Sequence, residues 1–222
     1  MTTSDQTIPL QIDIVSDVVC PWCIIGYKQL EKALASLPGQ FEPHWQWHPF
    51  ELNPHMPVEG QDTREHLAQK YGTTAEQSRA ARNRLTELGE TLGFHFDYFD
   101  GMRMVNTFKA HQLLHWAKQQ GQQTELKLAL FEAFFSLRQD VSDISQLVLT
   151  AEQLGLDASE ARQVLEDQRF AEDVRAEQQQ WLDRDIHAVP TFFFNSKYQV
   201  PGAQDVETFV RVLGKIAERE AA

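Results

Sequence analysis

Residues 13–34, DIVSDVVCPWCIIGYKQLEKAL, contain both cysteines of the 222-residue chain, three positions apart. Residues 8–15 in front of them predict a buried strand, with Ile8, Leu10, Ile12 and Ile14 on one face. Behind them, apolar side chains recur at helical spacing until a Pro-Gly pair at residues 38–39 ends the pattern. Cys20 and Cys23 are therefore expected at a junction between a strand and a helix.

The rest of the chain predicts an α/β fold with a helical middle. Residues 41–52 alternate aromatic and polar side chains, which is typical of a second strand, and the turn-rich residues 53–61 follow. Residues 62–185 are predicted to be almost entirely helical. Two short strands, VPTFFFN and KYQVPG, then join through a tight turn at residues 195–196, and an amphipathic helix over residues 205–220 follows. The predicted order is β-α-β, helices, β-β-α.

The composition and net charge of the chain argue against some classes of function. The chain has 32 acidic and 20 basic side chains, a net charge of −12, so nucleic acid and anionic membranes are poor partners. Two cysteines cannot form a disulfide framework for a chain of this length, which favours a chemical role for them. The first residues have no basic leader and no uninterrupted apolar stretch. This pattern favours the cytoplasm, where thiols are kept reduced.

The spacing of the cysteines suits thiol chemistry. A helix N-terminus favours a negative charge, so Cys20 is expected to have a lowered pKa and to react before Cys23. Pro21 suits the first helical position because it lacks an N–H group. Cys23 lies one turn further on, within reach of a disulfide with Cys20. The intervening Pro21 and Trp22 are expected to tune the reduction potential.

A metal site is the main alternative for these residues. His44 and His48 follow the cysteines, but on a strand they would lie about 13 Å apart, at roughly 3.3 Å per residue, too far to share one ion. His111 and His115 are one turn apart on a predicted helix, yet the pattern lacks the glutamate of H-E-x-x-H and a third ligand. We therefore expect no metal and interpret this second pair as core-edge or surface histidines. Chance pairing of two inert cysteines is a further alternative.

Asp17 and the Val189–Pro190 pair each leave a choice open. Asp17, three residues before Cys20, either carries protons for the thiols or caps the turn, and we favour the cap. Pro190 directly precedes a strongly apolar strand, and local statistics favour a trans bond there.

Three motifs carry a resemblance to a known family. These are SDVVCPWCIIG (residues 16–26), NTFKAHQLLHWA (residues 106–117) and AVPTFFFNSKYQVPGAQ (residues 188–204). Occurring in this order, they resemble the DsbA-like thioredoxin-fold family and its FrnE-like branch. The resemblance implies a thioredoxin-fold domain with an all-helical insertion. We assign residues 1–60 and 186–222 to the thioredoxin-fold domain and residues 61–185 to the insertion.

The resemblance also implies roles for individual residues. Cys20 would be the nucleophile and Cys23 the resolving thiol. A cis Val189–Pro190 bond would face them, and the Val189 backbone would pair with substrate. The expected function is a thiol-disulfide oxidoreductase or disulfide isomerase. It would act on proteins or small molecules that carry thiols or disulfides, as a monomer or homodimer without a cofactor.

Related branches keep other functions open. Kappa-class glutathione transferases and 2-hydroxychromene-2-carboxylate isomerases typically have serine in place of the first cysteine and activate glutathione instead. The segment NTFKAH, with Asn106 and His111, resembles both branches, so these two residues and Asp17 are further site candidates and glutathione stays open as a co-substrate. The alternatives are a glutathione-dependent isomerase or transferase for a small aromatic substrate, and a peptide-binding, chaperone-like redox sensor. Exported DsbA proteins commonly have C-P-H-C, whereas Trp22 here does not predict strong oxidising power.

Overall fold

The first part of the chain forms a parallel β-α-β unit. The structure, a computed structural model, describes residues 7–220. Strand β1 (Ile8–Ser16) leads into helix α1 (Pro21–Ala35), and strand β2 (Phe41–Pro49) returns parallel to β1, with Ile8 opposite Phe41. The predicted β-α-β order and the junction at the cysteines are confirmed. The second strand ends at Pro49, not at residue 52.

The middle of the chain is mainly helical but contains a small sheet. Its elements in chain order are β3 (Gln61–Asp62), α2 (Thr63–Tyr71), α3 (Ala75–Thr91), β4 (Arg103–Met104), α4 (Phe108–Gln119), α5 (Gln123–Phe135), α6 (Ile144–Gln153), α7 (Ala158–Glu166) and α8 (Ala171–Asp183). β3 and β4 pair antiparallel. The prediction of nearly continuous helix over this region is wrong at residues 92–107, because two-residue strands are too short to show an alternating pattern. The proposed division of the chain into two domains stays a prediction.

The last part of the chain completes the sheet. Strands β5 (Thr191–Phe194) and β6 (Tyr198–Pro201) form a hairpin, and helix α9 (Val206–Glu220) follows. Asn195 and Ser196 in the turn both have positive φ, 50° and 55°, as a primed two-residue hairpin turn requires. The sheet order is β2-β1-β5-β6, with β5 antiparallel to β1. The β-β-α prediction is confirmed.

Both faces of the sheet are covered. On one face, Ile12 and Ile14 of β1 belong to a core that includes residues of α1 and α9. α1 approaches β5 closely, since a Cβ atom on Gly26 would lie 3.0 Å from the Phe192 ring. On the other face, Val15 packs with Trp181 of α8 in a separate cluster. Apolar residues alternate along β1, and this alternation made the strand predictable from the sequence.

Within residues 7–220, no helix combines the length and the apolar character that a membrane crossing requires.

His48 fastens helix α8 to the sheet. Its ring donates from Nε2 to Asp13 on β1 (2.9 Å) and from Nδ1 to Glu177 on α8 (2.6 Å). Burial opposes the charge on the ring, but these bonds to the two carboxylates outweigh it and raise the pKa of His48. Burial also opposes the charge on Glu177, while the nearby His115 ring and the hydrogen bond from His48 lower the pKa of Glu177 to about 2. The protonated ring between two carboxylates therefore contributes to stability.

We expect His48→Gln to lower the free energy of unfolding by about 3 kcal/mol at pH 6, because two buried carboxylates lose their shared cation. The contribution of His48 is complete below its ordinary pKa of 6.5 and is lost as the pH rises through the raised folded-state value. The contribution of Glu177 is present above 4.5 and is lost as the pH falls towards about 2. The difference in the free energy of unfolding between wild type and variant should therefore become smaller at both low and high pH.

Urea unfolding between pH 3 and pH 9 measures this difference. His44→Gln is the matched control, since His44 lies on the same strand with an exposed side chain 3.9 Å from Glu42 and should cost less than about 0.5 kcal/mol. If the loss of stability in His48→Gln does not change with pH, the protonated ring is not the source of the stabilisation.

Candidate active site

The two cysteines lie at the junction between β1 and α1. Cys20 occupies the position before the helix, in an extended conformation (φ −93°, ψ 111°), and Pro21 is the first helical residue. The Cys23 amide donates to the Cys20 carbonyl (3.1 Å), which closes the first turn. Both thiols are free and buried. Strand end, proline and helix start thus hold both sulfurs on one side of the first turn.

The two thiols titrate as a pair. The hydrogen bond with Cys23, together with burial, raises the pKa of Cys20. Burial also disfavours a thiolate at Cys23, but the neighbouring Cys20 thiol, the Ser16 hydroxyl and the charge of Lys127 outweigh it and lower the pKa of Cys23. The expectation of a lowered pKa at Cys20 is therefore wrong for the resting dithiol. The pair loses its first proton below the ordinary thiol range and its second well above it, because adjacent thiolates repel.

Buried charges lie behind the thiols. Asp17 is fully buried; its carboxylate accepts from the Leu52 amide (2.8 Å) and lies 3.3 Å from His111 Nε2. Burial opposes the Asp17 charge, but the His111 contact and the Leu52 hydrogen bond lower its pKa. The interpretation of Asp17 as a cap is wrong, because α1 has no side-chain cap and this carboxylate points into the protein.

Two further residues complete this buried group. His111 is 2% exposed, so it is a core residue and not a surface histidine; its Nε2 also donates to the Phe50 carbonyl (3.1 Å). Lys127 on α5 is 1% exposed, with its ammonium over the Trp47 and Phe131 rings. Burial lowers the pKa of Lys127 to about 8, against the attraction of Cys23 and Asp17. Sequence reasoning missed Lys127, although a lone lysine in the apolar helix LKLALFEAFF was a usable signal.

The Val189–Pro190 loop lies beside the thiols. The peptide bond is cis, the isomer that the resemblance implies. Cys20 Sγ is 3.8 Å from the Val189 carbonyl oxygen, a contact that joins residues 169 positions apart in the sequence. Trp22, on the outer side of the first turn, is 40% exposed. The structure therefore places Val189 beside Cys20, and the roles expected for Cys20, Cys23, Val189 and Pro190 stay predictions.

Other candidate residues lie elsewhere. Asn106 is half-buried at the start of α4, where its side chain accepts from the Phe108 amide (3.0 Å) and donates to the Met56 carbonyl (3.4 Å). This arrangement orders a loop and does not reach the thiols. His115 faces Glu177 (3.8 Å). Within residues 7–220, no three His, Cys, Asp or Glu side chains form a group that could hold a metal ion.

A cavity of about 320 Å³ opens in front of Cys20, and we call it the Cys20 cavity. The start of α1 and Val189 form one side, and α2, α3, β4 and the end of α5 contribute the others. Cys20 lies on its wall, whereas Cys23 does not. Its lining is mostly apolar, with Leu67, Leu85, Met102, Phe134 and Phe135 among the contributors. Sequence reasoning did not find this cavity, because its walls come from distant parts of the chain.

Comparisons with known proteins agree with this architecture. A model of the DSBA-like thioredoxin domain family matches residues 11–214. A probable DsbA oxidoreductase from Streptomyces coelicolor is 34% identical, with a TM-score of 0.88 over 95% of this chain and 91% of that one. The uncharacterized protein YwbO from Bacillus subtilis is 28% identical over 205 residues, which is 92% of this chain and 96% of that protein. 2-Hydroxychromene-2-carboxylate isomerase shares the fold alone, at 16% identity and a TM-score of 0.69 over 95% of this chain and 98% of that one. The expected thioredoxin fold with inserted helices is confirmed.

We expect iodoacetamide to modify Cys20 well before Cys23 in the reduced protein, because only Cys20 borders the cavity. Lys127→Met should slow this reaction about tenfold at pH 7, since loss of the ammonium raises the first pKa of the pair and one unit lowers the thiolate fraction tenfold. Peptide mass spectrometry over a time course measures both rates.

Lys215→Met, which removes an exposed charge on α9, is the control and should leave the rate unchanged. Faster labelling of Cys23, or a Lys127→Met rate equal to wild type in a folded variant, would overturn this description of the pair.

Proposed function

Because the chain belongs to the DSBA-like thioredoxin domain family, a family of thiol oxidoreductases, we propose that it is a thiol-disulfide oxidoreductase or disulfide isomerase that acts through Cys20 and Cys23. The observation that carries the proposal is the unequal placement of the two sulfurs. Cys20 borders an open cavity, and Cys23 is buried one turn behind it. Attack by one thiol and resolution by the other need this arrangement.

In the proposed reaction the dithiol reduces a substrate disulfide. The Cys20 proton passes to the Cys23 thiolate, and the Cys20 thiolate attacks one substrate sulfur. The substrate S–S bond breaks, and its electron pair leaves on the other sulfur. Cys23, as thiolate, then attacks Cys20 in the mixed disulfide, and the second substrate thiolate leaves. Two protons pass to the products, the substrate disulfide gains two electrons, and the protein dithiol loses two. The opposite direction oxidises a substrate dithiol.

The buried charges support the second step. Cys23 must lose its proton in a site that is buried from solvent. The charge of Lys127, whose pKa is about 8, acts on this thiol. Lys127 therefore favours the Cys23 thiolate that resolves the mixed disulfide. The Asp17 carboxylate offsets the lysine charge, and His111 holds that carboxylate in place. We keep Asn106 outside this mechanism because it does not reach the thiols.

The surroundings of Cys20 support substrate docking. The Val189 carbonyl, 3.8 Å from Cys20 Sγ, would hold an extended substrate segment through its backbone, with Pro190 fixing the loop. Pro21 and Trp22 between the two cysteines would tune the reduction potential. We place the protein in the FrnE-like branch and in the cytoplasm, as a monomer or homodimer. Its reduction potential against glutathione decides the direction of electron flow.

A second candidate function is a glutathione-dependent isomerase or transferase. The observation that favours it is the mostly apolar cavity beside Cys20, which is large enough for a small aromatic substrate. Glutathione would be a co-substrate of either activity, and no other cofactor is needed. The two functions differ in their need for Cys23, since an isomerase that activates glutathione requires no resolving thiol.

We expect Cys23→Ser to accumulate mixed disulfides through Cys20, because the resolving attack is lost. Incubation with oxidised glutathione and with a disulfide-containing protein, followed by non-reducing electrophoresis and mass spectrometry, detects the adducts. Cys20→Ser is the matched control and should form none.

A Cys23→Ser protein that forms no adduct while it retains glutathione-dependent isomerase or transferase activity would favour the second candidate. Adducts that form equally in Cys20→Ser would exclude the assigned attacker.

A further inference from the structure

The Cys20 cavity contains polar groups that the proposed thiol exchange does not use. Ser78, Ala81, Arg82 and Leu85 of α3 face it, at the i, i+3, i+4 and i+7 spacing of one helix face. Tyr98 reaches it from the segment between α3 and β4. Three of these side chains, Ser78, Arg82 and Tyr98, end in groups that can bind oxygen atoms.

Two hydroxyls in the cavity wall are buried without a partner. Among the described residues, neither Ser78 Oγ nor Tyr98 Oη has a hydrogen-bond partner, and both atoms are inaccessible to solvent. A serine within a helix usually bonds the carbonyl one turn back, and a buried tyrosine hydroxyl usually finds a partner. A buried hydroxyl without a partner is unfavourable, because it has lost its hydrogen bonds to water. Burial raises the pKa of Tyr98 although the charge of Arg82 opposes the shift, so this hydroxyl stays protonated and can donate.

Arg82 adds a positive charge next to these hydroxyls. Its guanidinium lies 5.5 Å from the centre of the Tyr98 ring. Across residues 7–220, no carboxylate lies within ion-pair distance of it. By contrast, the neighbouring Lys70 is already bonded to the Leu52 carbonyl and Asn53 (2.7 Å each). Other arginines of the described residues, Arg79 and Arg84 among them, also lack a carboxylate partner, so Arg82 is distinguished by its position on the cavity wall.

The position of Tyr98 is fixed by packing. Its ring stacks on Phe96 (5.5 Å, 2°) and meets Phe135 edge-on (6.4 Å). Gly89 allows α3 to approach this segment, since a Cβ atom there would lie 2.6 Å from the Phe94 carbonyl oxygen. The hydroxyl and the α3 groups are therefore held together before any ligand arrives.

We propose that the Cys20 cavity binds a small organic disulfide with an aromatic or similarly apolar body and a carboxylate, which Ser78, Tyr98 and Arg82 bind while its sulfur meets Cys20. The apolar lining accepts the body, and the volume of about 320 Å³ fits the lower end of small-molecule sites. The proposal rests on the proposed function and names a substrate class for it.

The reaction follows the thiol exchange given above. The Cys20 thiolate attacks the sulfur attached to the bound half, the S–S bond of the small disulfide breaks, and the other half leaves as a thiolate with the electron pair. Cys23 then attacks Cys20, and the bound half leaves as a second thiolate. One small disulfide becomes two small thiols, and the dithiol of the protein becomes one disulfide.

Two aromatic disulfides test the carboxylate preference. The carboxylated probe is 5,5′-dithiobis(2-nitrobenzoate) and the uncharged probe is 4,4′-dithiodipyridine. Stopped-flow absorbance of the released thiolate, with the disulfide in excess over fully reduced protein, gives a half-saturation concentration and a limiting rate for each. We expect saturation with the carboxylated probe at the lower concentration.

The variants Arg82→Gln, Tyr98→Phe and Ser78→Ala test the three contacts. Arg82→Gln should raise the half-saturation concentration for the carboxylated probe about tenfold or more, and each hydroxyl removal about threefold to tenfold. The uncharged probe should respond less than about twofold. Arg84→Gln is the matched control, since it removes an exposed charge of α3 that does not line the cavity and should have no effect on either probe. Equal responses of both probes, or an Arg84→Gln effect as large as that of Arg82→Gln, would overturn the proposal.

A binding measurement separates this proposal from the proposed function. In Cys20→Ser, 4-nitrobenzoate should bind without chemistry, as measured by calorimetry, and Arg82→Gln in the same background should weaken it about tenfold. If nitrobenzoate binds there but wild type exchanges with neither disulfide, the cavity assignment stands and the oxidoreductase proposal fails. If wild type exchanges with both disulfides but nitrobenzoate does not bind to the folded variant, the cavity assignment fails.

Discussion

The burial of strand β1 on both faces is the constraint on which the rest of the molecule depends. β1 pairs with β2 on one side and β5 on the other, and its side chains belong to both core clusters. Such a strand has no freedom to shift its register, because a one-residue slip would exchange its two faces. The residues at and just after the end of β1, Ser16, Asp17 and Cys20, therefore have fixed positions. The β5 partner brings the Val189–Pro190 loop to the same end of the sheet.

The energetics of the site follow from burying charge next to sulfur. A lysine or aspartate inside a protein is costly unless another charge offsets it. Lys127 stabilises the charged forms of Asp17 and Cys23, whereas the Asp17 carboxylate opposes a charge on Cys20. The buried lysine therefore favours a thiolate on Cys23 without a charge on the surface. The same arrangement joins α5 to the end of β1, so that the chemistry and the packing of the helical block depend on each other.

Local pattern was enough to predict much of this molecule. The strand, the cysteine pair and the helix after it lie within one short stretch, and each has a periodicity that the sequence displays. The hairpin was also predictable, because Asn195 and Ser196 suit its turn. Contacts between distant segments were not. Asp17 was misassigned because Leu52 and His111, its partners, come from 35 and 94 positions away.

The cavity residues were invisible to sequence reasoning for the same reason. Ser78, Arg82 and Tyr98 look like ordinary residues of an amphipathic helix and an aromatic loop, and only folding places them around one sulfur. The acidity of the thiols shows the same limit. The helix start predicts a charge at Cys20, whereas contacts from Ser16 and Lys127 place the lower pKa on Cys23. Local geometry identified the reacting pair, and long-range packing decided how the pair shares its charge.

The helix start has a thermodynamic consequence through its missing cap. Cys20 stands where a serine or aspartate side chain usually bonds the first free amides of a helix, and no side-chain cap is present. In the dithiol form the negative charge of the pair takes over part of that role, whereas a disulfide is neutral. Folding and oxidation therefore form a closed cycle: any difference in stability between the reduced and the oxidised chain equals the difference in redox free energy between the folded and the unfolded pair. The missing cap thus links the stability of the fold to the reduction potential of the pair.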